Sequence, residues 1–319
     1  MNKTPSLSVW PGFAAHDGAG LPPAGDWPKI SIVTPNYNYG HLIETTVRSV
    51  LEQEYPNLEY IVIDDGSTDN SVEVVAPYVP KLAHYEHQAN QGQYPTINKG
   101  FARATGEICA WLNSDDIYLP WTLKTVATIF TQFPEVDWIA GRFSAMQDCV
   151  VHEIRPFTPF PRRMIRAGMF FEPAHGGYGH IQQESCFWRR SLWEKAGGLR
   201  TELRFAADFE LWTRFAQHAD LYAVHTLLGG FTHRLGQNRS LANSDRYVSD
   251  IQAAIAELRR DPSSAEARLA RRLMWYQRFN RRFGRGLASR LVSVADLTGP
   301  TIEWDFDQGR YFTHVRKMF

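Results

Sequence analysis

The stretch Ile108–Trp121, ICAWLNSDDIYLPW, decides the fold. An apolar run typical of a strand buried on both faces ends abruptly in four polar residues: Asn113, Ser114, Asp115 and Asp116. Two adjacent carboxylates at the end of a buried strand repel each other and resist the loss of water. They therefore need a compensating partner. The first polar position, moreover, is an amide and not a third acid.

Upstream, the same pattern of a buried strand ending in polar residues occurs twice, at Lys29–Asn38 (KISIVTPNYN) and Leu58–Asp69 (LEYIVIDDGSTD). Amphipathic helical segments alternate with these strands and with a further strand before residue 104. Downstream, a helix opened by Pro120 leads to a fifth strand, VDWIAGRFSAM, which begins at Val136. This β-α-β-α-β-α-β-α-β order predicts an α/β fold with an open, mainly parallel sheet flanked by helices.

Three of the predicted strands carry polar groups at their carboxyl ends. In open α/β sheets, ligands bind in the crevice at this edge of the sheet. We therefore expect one shared crevice lined by these strand ends: Asn36, Asn38, Asp64, Asp65, Asn113, Asp115 and Asp116.

The chain divides by composition into three parts. Residues 1–28 are a Pro/Gly-rich extension, residues 29–244 hold the α/β pattern, and residues 245–319 form a basic, mostly helical extension. Lys and Arg number 34, as do Asp and Glu, so the net charge predicts no partner. No signal peptide or membrane span is apparent, and the three cysteines form no close pair, so we expect a cytoplasmic protein.

The C-terminal extension carries ten arginines against three acidic residues between Glu257 and Arg290. An apolar stripe that includes Leu269 and Leu273 runs through it. Two interpretations stay open: a helix packed on the main domain with a solvated basic face, or an interfacial helix that binds anionic lipid. No motif predicts nucleic-acid binding. The alternation in residues 301–315, TIEWDFDQGRYFTHV, indicates a β-hairpin.

Six motifs, in order and at ordinary spacing, resemble the inverting nucleotide-sugar glycosyltransferases of family 2, which have the GT-A fold. They are SIVTPNYN (31–38), VIDDGSTDNS (62–71), INKG with ATGEICAWLNSDDIYLP (97–120), FWRRSLWEKAGGL (187–199), AADFELWTRFA (206–216) and FTHRLGQNRS (231–240). The resemblance covers about residues 30–240 and makes residues 29–244 a GT-A catalytic domain.

The resemblance implies that NSDD stands where the family has its Asp-x-Asp motif. Mn²⁺ or Mg²⁺ then bridges Asp115 to the donor diphosphate, with Asp116 and His233 as further metal ligands. Two alternatives remain at this point. Asp116 caps the helix that follows Pro120, and Arg234, not His233, faces the phosphates as a cation.

The resemblance also implies the residues that contact the donor. Asp65 accepts a hydrogen bond from the imide of a uracil or thymine base, and Tyr37 and Asn38 flank that base. Asn113 keeps a carbonyl oxygen that ligates the metal weakly or hydrogen-bonds the ribose, so we expect looser metal binding than three acids give. The expected donor-binding set is Pro35, Tyr37, Asn38, Asp65, Asn98, Lys99, Asn113, Ser114 and Asp115.

By the same resemblance, Asp208 is the catalytic base that removes the proton of the acceptor hydroxyl. The alternative is an ordinary helix N-cap, which lowers the pKa and makes a poorer base. Glu184 and His180 are expected to contact the acceptor sugar. For Glu184 the alternative is an ion pair with Arg189 or Arg190.

The sequence thus predicts a metal-dependent inverting glycosyltransferase. Its donor is a UDP- or dTDP-sugar, and its acceptor is a glycan or glycolipid hydroxyl of cell-surface polysaccharide synthesis. Three alternatives stay open: a nucleotidyltransferase, which normally has a Gly- and Lys/Arg-rich loop after the first strand, a binding module without a catalytic base, and a degenerate family member that binds the donor without transfer.

Overall fold

The computed structural model describes residues 27–147, 149–171, 177–233, 244–283 and 297–318. The predicted N-terminal extension, apart from its last two residues, lies outside the described residues. So do Arg234 and the rest of the motif that follows His233.

The first part of the chain alternates strands and helices as predicted. The elements are β1 (Ile30–Asn36), α1 (Ile43–Leu51), β2 (Leu58–Asp64), α2 (Ser71–Val75), β3 (His84–His87), α3 (Gln93–Arg103), β4 (Ile108–Trp111), β5 (Ile117–Tyr118), α4 (Thr122–Gln132) and β6 (Trp138–Ala140). All seven residues of β1 and all four of β4 are buried, as expected for strands covered on both faces.

The second part is less regular. It contains β7 (Ser144–Gln147), β8 (Val150–Ile154), α5 (Arg162–Arg166), β9 (Cys186–Arg189), α6 (Arg190–Ala196), α7 (Ala207–His218), β10 (Leu221–Val224), β11 (Gly229–Thr232), α8 (Ser244–Leu258), α9 (Ala265–Phe283), β12 (Thr298–Asp305) and β13 (Arg310–Lys317).

Nine of these strands form the central sheet, in the order β13-β12-β10-β6-β9-β4-β1-β2-β3. Strand β1 runs parallel to β2 and β4, β2 to β3, and β10 to β6 and β12, whereas β9 and β13 are antiparallel to their neighbours. The prediction of an α/β fold with a mainly parallel sheet is therefore confirmed.

The predicted fifth strand is split between two sheets. Its first half is β6, in the central sheet, and its second half is β7, in a smaller sheet of order β5-β11-β7-β8. The chain changes partners at Gly141, where a Cβ atom would lie 3.0 Å from the side chain of Leu228. A glycine here allows the close approach of the 226–228 segment, to which Arg142 donates a backbone hydrogen bond.

An aromatic cluster holds α7 against the sheet. The Trp212 ring stacks on Trp111 of β4 at 5.7 Å and contacts Trp138 of β6 at 5.5 Å. Phe215, one turn further, meets Trp138 edge-on at 5.3 Å. Because these large side chains are buried, they fix the position of α7 and hence the direction of its first turn.

The C-terminal part packs on the domain. Leu269, Leu273 and Tyr276 of α9 are buried, and the Tyr178 hydroxyl donates to the Leu273 carbonyl at 3.0 Å. The apolar stripe of this helix therefore packs on the domain, as the first of the two interpretations expects. The predicted hairpin is β12–β13, and β12 extends the central sheet beside β10. Among the described residues, no helix combines the length and apolarity needed to cross a membrane.

Glu59 ties together the edge of the sheet opposite the carboxyl strand ends. Its carboxylate pairs with Lys29 at 2.7 Å and accepts hydrogen bonds from Ser31 and from the backbone and hydroxyl of Thr105. Burial by itself raises the pKa of Glu59, but these bonds outweigh burial and lower it to about 2.

We expect Glu59→Gln to destabilise the fold by about 2–3 kcal/mol at neutral pH. Because the folded pKa lies below the unfolded value, this stabilisation is complete above about pH 4.5 and is lost as pH falls through about 2. Urea unfolding of both proteins between pH 7 and 2 measures it, with the exposed Glu73→Gln as control. A difference that stays constant down to pH 2 contradicts the assignment.

Candidate active site

A cleft of about 780 Å³ opens at the carboxyl ends of β1, β2 and β4. It is closed on its far side by the start of α7 and by Tyr247 and Val248 of α8. Most of the predicted site residues line this cleft: Pro35, Tyr37, Asp65, Asn113, Ser114, Asp115, Asp116, His180, Glu184 and Asp208.

Asn113 connects the parts of the cleft through its side-chain amide. Its Oδ1 accepts from Gln93 Nε2 at 2.8 Å, and its Nδ2 donates to Gln183 Oε1 at 3.1 Å. The same Nδ2 lies 3.4 Å from Oδ2 of Asp116. An aspartate here could not donate to either acceptor. The amide at this position is therefore explained by hydrogen bonding within the protein, and its oxygen is already occupied by Gln93.

Asp116 is buried and joins two sheets. Its Oδ1 accepts from the Thr232 backbone at 3.0 Å, which links the turn after β4 to β11. Burial raises the pKa of Asp116 well above its ordinary value, and the charges of Asp115 and Glu184 raise it further. Helix α4 begins without a side-chain cap, so the capping alternative for Asp116 is wrong.

The two acids after β2 have different partners. Asp64 accepts from Asn36 at 2.7 Å, from Ser67 and from His87, and so holds the ends of β1, β2 and β3 together. Asp65 accepts from Gln88 and from the backbone of Gln91 and Gly92, at 2.7, 2.9 and 2.8 Å. Asp65 thereby shapes the loop that forms one wall of the cleft.

Four predicted site residues do not line the cleft. Asn38 accepts from the Thr68 backbone at 2.8 Å, and Asn98 bonds both backbone groups of Leu199. Lys99 donates to Glu86 and Gln88. The His233 backbone donates to Met146 at 2.7 Å. These four residues have contacts within the protein and are not part of the cleft lining: Asn38, Asn98, Lys99 and His233.

Asp208 is the second residue of α7, and Ala206 holds the N-cap position. The N-cap alternative is therefore wrong. The Oδ1 atom of Asp208 is buried and has no hydrogen-bond partner among the described residues. Burial raises the pKa of Asp208. The Phe209 backbone N–H and nearby His180 act in the opposite direction and lower this pKa, but burial has the larger effect. A carboxylate with a raised pKa and a free oxygen in a cleft is suited to accept a proton.

Glu184 lies in a 3₁₀ turn, Gln183–Ser185, and is buried. Gln182 donates to its Oε1 at 2.7 Å. Burial raises the pKa of Glu184 to about 7; the Gln182 hydrogen bond opposes this rise, and the charges of Asp115 and Asp208 add to it. The carboxylates of Asp115 and Asp208 are therefore close enough to Glu184 to interact with it electrostatically.

The alternative partners of Glu184 are engaged elsewhere. Arg189 pairs with Glu107, and Arg190 pairs with Glu194 at 2.9 Å. The ion-pair interpretation of Glu184 is therefore wrong.

Sequence reasoning missed several residues that line the cleft. Gln93 and Gln183 hold Asn113, and Gln183 also donates to the Trp111 carbonyl at 2.7 Å. Neutral amides carry no charge pattern that would have singled them out. Tyr247 comes from α8, outside the predicted catalytic domain, and its ring lies 6.4 Å from that of His180.

The acids of the cleft have the donor chemistry of a magnesium or manganese site, since both ions prefer oxygen ligands. Among the described residues, however, no three His, Cys, Asp or Glu side chains converge as a metal site. Asp116 is committed to Thr232, and His233 is outside the cleft lining. Asp115 is therefore the residue that fits a metal whose other ligands come from a bound diphosphate.

Comparison with known proteins agrees with this geometry. Residues 31–186 match the model of Glycosyl transferase family 2. An uncharacterized glycosyltransferase of Nostoc sp. is 41% identical over 105 residues, 32% of this chain and 33% of the relative. The chain spans from 33% to 63% of the length of the first curated relatives that it matches.

Two solved structures share the fold. S. aureus TarS in complex with UDP-GlcNAc has a TM-score of 0.60 and 18% identity, covering 82% of this chain and 75% of TarS. The mannosyltransferase PcManGT from Pyrobaculum calidifontis, in complex with GDP-Man and Mn²⁺, has a TM-score of 0.55 and 20% identity, covering 84% and 74%. The GT-A fold is therefore confirmed, and residues 31–186 of this chain are similar to glycosyl transferase family 2.

Proposed function

We propose that this chain is a metal-dependent inverting glycosyltransferase that moves a sugar from a nucleotide diphosphate to a hydroxyl group of a glycan or glycolipid. A UDP- or dTDP-sugar is the proposed donor, and cell-surface polysaccharide synthesis is the proposed setting. Residues 29–244 form the proposed catalytic domain. The extension at residues 245–319 completes the cleft through Tyr247 and Val248.

The buried Oδ1 of Asp208 carries this proposal: it has no hydrogen-bond partner within the described part of the chain, and Asp208 lines the same cleft as Asp115. A binding module needs no such base. A nucleotidyltransferase is disfavoured because the loop after β1, from Tyr37 to Leu42, contains a single glycine and no Lys or Arg. The wide cleft, bordered by Pro35, Tyr37 and Asp65, has room for a nucleotide sugar.

In the proposed reaction, the acceptor hydroxyl attacks the anomeric carbon on the face opposite the diphosphate. Asp208 takes the hydroxyl proton as the new glycosidic bond forms and the bond from sugar to phosphate breaks, so the nucleoside diphosphate leaves. Its buried position raises the pKa of Asp208 and makes it a stronger base than an exposed aspartate.

Asp115 is the proposed protein ligand of Mn²⁺ or Mg²⁺. When bound, such an ion neutralises charge on the leaving diphosphate as a Lewis acid. Asn113 and Asp116 support the turn that presents Asp115, through Gln183 and Thr232. In this proposal the ion is assigned to Asp115, whereas Asp116 accepts a hydrogen bond from the Thr232 backbone.

We expect Asp208→Asn to lower kcat by about 10²–10⁴-fold, because it removes the proton acceptor and keeps the shape of the side chain. Donor affinity, measured by calorimetry with UDP-sugars and Mn²⁺, should stay within about two-fold. In the unmodified protein, kcat/KM should decrease as the pH is lowered, because protonation of Asp208 removes the base. The midpoint of this decrease should lie above the ordinary pKa of an aspartate.

The matched control is Asp220→Asn, an exposed acid just beyond the other end of α7, which should keep full activity. If the Asp208→Asn protein transfers sugar at the normal rate, Asp208 is not the catalytic base. If the unmodified protein binds the donor but transfers no sugar, the alternative of a degenerate family member is correct.

We expect Asp115→Asn to abolish the gain in UDP affinity that Mn²⁺ provides, because one carboxylate anchors the ion. Titrating UDP with and without Mn²⁺ measures this gain, and the exposed Asp307→Asn serves as control. Equal Mn²⁺ dependence in the Asp115 variant and the control would place the ion elsewhere.

The outer face of α9 is the proposed contact with a membrane surface that holds a lipid-linked acceptor. Trp275 is 67% exposed and Met274 is 41% exposed, unusual for large apolar side chains. Exposed arginines surround them on the same helix: Arg268, Arg271, Arg272 and Arg278. A tryptophan within a cationic patch favours the interface of an anionic bilayer.

We expect the protein to co-sediment with vesicles that contain about 30% phosphatidylglycerol, and far less with neutral phosphatidylcholine vesicles, with binding weakened by salt. Trp275→Ala should weaken binding several-fold. Phe306→Ala, which removes an aromatic ring that is 86% exposed on the β12–β13 turn, should not. Equal loss in both variants, or no preference for anionic vesicles, contradicts the contact.

A further inference from the structure

A second, smaller cavity of about 90 Å³ adjoins the cleft, between the β7–β8 hairpin and the segment before β9. We call it the basic pocket. It shares four lining residues with the cleft: Phe143, Arg155, His180 and Gln182. The two cavities are therefore neighbours across one wall, on the side of the cleft to which His180 and Asp208 belong.

The basic pocket differs from the cleft in charge. Arg142 and Arg155 line it together with His180, and none of its lining residues is acidic. The cleft, by contrast, is lined by five acids, Asp65, Asp115, Asp116, Glu184 and Asp208, which outnumber its basic residues Arg155, His180 and Arg204. Because the charge of the lining residues changes sign between these two adjoining cavities, they favour a ligand with an anionic group at one end.

Arg142 has unused hydrogen-bonding capacity. Its Nε is buried without a hydrogen-bond partner among the described residues, and its Nη2 donates to the Arg155 carbonyl at 3.1 Å. Arg155 lies with its guanidinium 4.0 Å from the centre of the Phe143 ring and pairs with Glu153 at the surface. A buried guanidinium N–H without an acceptor is costly, and a bound oxyanion would satisfy it.

The size and walls of the basic pocket limit its occupant. Its volume of about 90 Å³ is roughly one ninth of that of the cleft, so a small group such as a carboxylate or phosphate suits it better than a whole nucleotide sugar. Aromatic rings form much of the wall: Phe143, Phe157, Phe160, Phe170 and Tyr178. Such rings favour the apolar faces of a sugar whose substituent enters the pocket.

We propose that the basic pocket is an acceptor subsite that binds the carboxylate or phosphate group of an anionic sugar in the acceptor. The proposal rests on the proposed function, since it assumes that the acceptor reaches Asp208. Arg142 and Arg155 bind the anionic group, and the acceptor hydroxyl then lies on the Asp208 side of the shared wall. The acceptor is accordingly an acidic glycan.

The test compares three small probes by calorimetry or ligand-observed NMR: methyl β-glucuronide, glucose 6-phosphate and neutral methyl β-glucoside. At low salt, at least one anionic probe should bind ten-fold or more tighter than the glucoside, and the tighter of the two identifies carboxylate or phosphate as the preferred group. Arg142→Gln should reduce this preference about ten-fold, and Arg142→Lys should keep part of it because the charge remains.

The exposed Arg310→Gln is the matched control and should bind all probes like the unmodified chain. Should Arg142→Gln fail to fold by thermal unfolding, the more exposed Arg155→Gln takes its place. Equal affinity for all three probes, no binding of any probe, or an anion preference unaffected by both arginine variants would overturn the subsite. Titrations run with and without UDP and Mn²⁺ separate the two proposals, because failure to bind UDP counts against the proposed function alone.

Discussion

The amide of Asn113 lies at the point where the parts of the cleft meet. It accepts from Gln93 of α3 and donates to Gln183 in the turn before β9, beside the Asp116 carboxylate. Asp116 in turn accepts from the Thr232 backbone of β11, so Asn113 and Asp116 together connect the end of β4 to α3, to the turn before β9 and to β11. With a carboxylate at this position, three acids would crowd the end of one buried strand and two acceptors would lose their donor.

Charge is compensated unevenly around this junction. Asp64 and Asp65 accept hydrogen bonds from side chains and backbone groups of the protein, and so they support the strand ends and the loop. Glu184 and Asp208 instead have raised pKa values, because the effect of burial exceeds that of their hydrogen bonds and, for Asp208, of nearby His180. The uncompensated acids thus lie where a substrate, a metal ion or a proton can compensate them, and the arginines lie in the adjoining pocket.

The sequence predicts the central sheet because buried strands, polar strand ends and helix periodicity are local signals. It also identifies Asp115, Glu184 and Asp208 as neighbours of one cleft, since strand-end chemistry and motif order point to them. It does not reveal the contacts of Asn98 and Lys99, because their partners, Leu199 and Glu86, depend on tertiary packing. The split of the fifth strand at residue 141 could not be predicted from local sequence either, because it depends on contact with a segment some 85 residues later.

The position of Asp208 shows how core packing controls chemistry. No hydrogen bond from the residues that the structure describes orients Oδ1 of Asp208, so the helix that carries Asp208 sets its direction. That helix is held by Trp212 and Phe215 against tryptophans of β4 and β6, the same sheet that carries the NSDD turn. Base and proposed metal ligand are therefore fixed relative to one another through a rigid aromatic core, which keeps their separation constant while Oδ1 stays free to accept a proton.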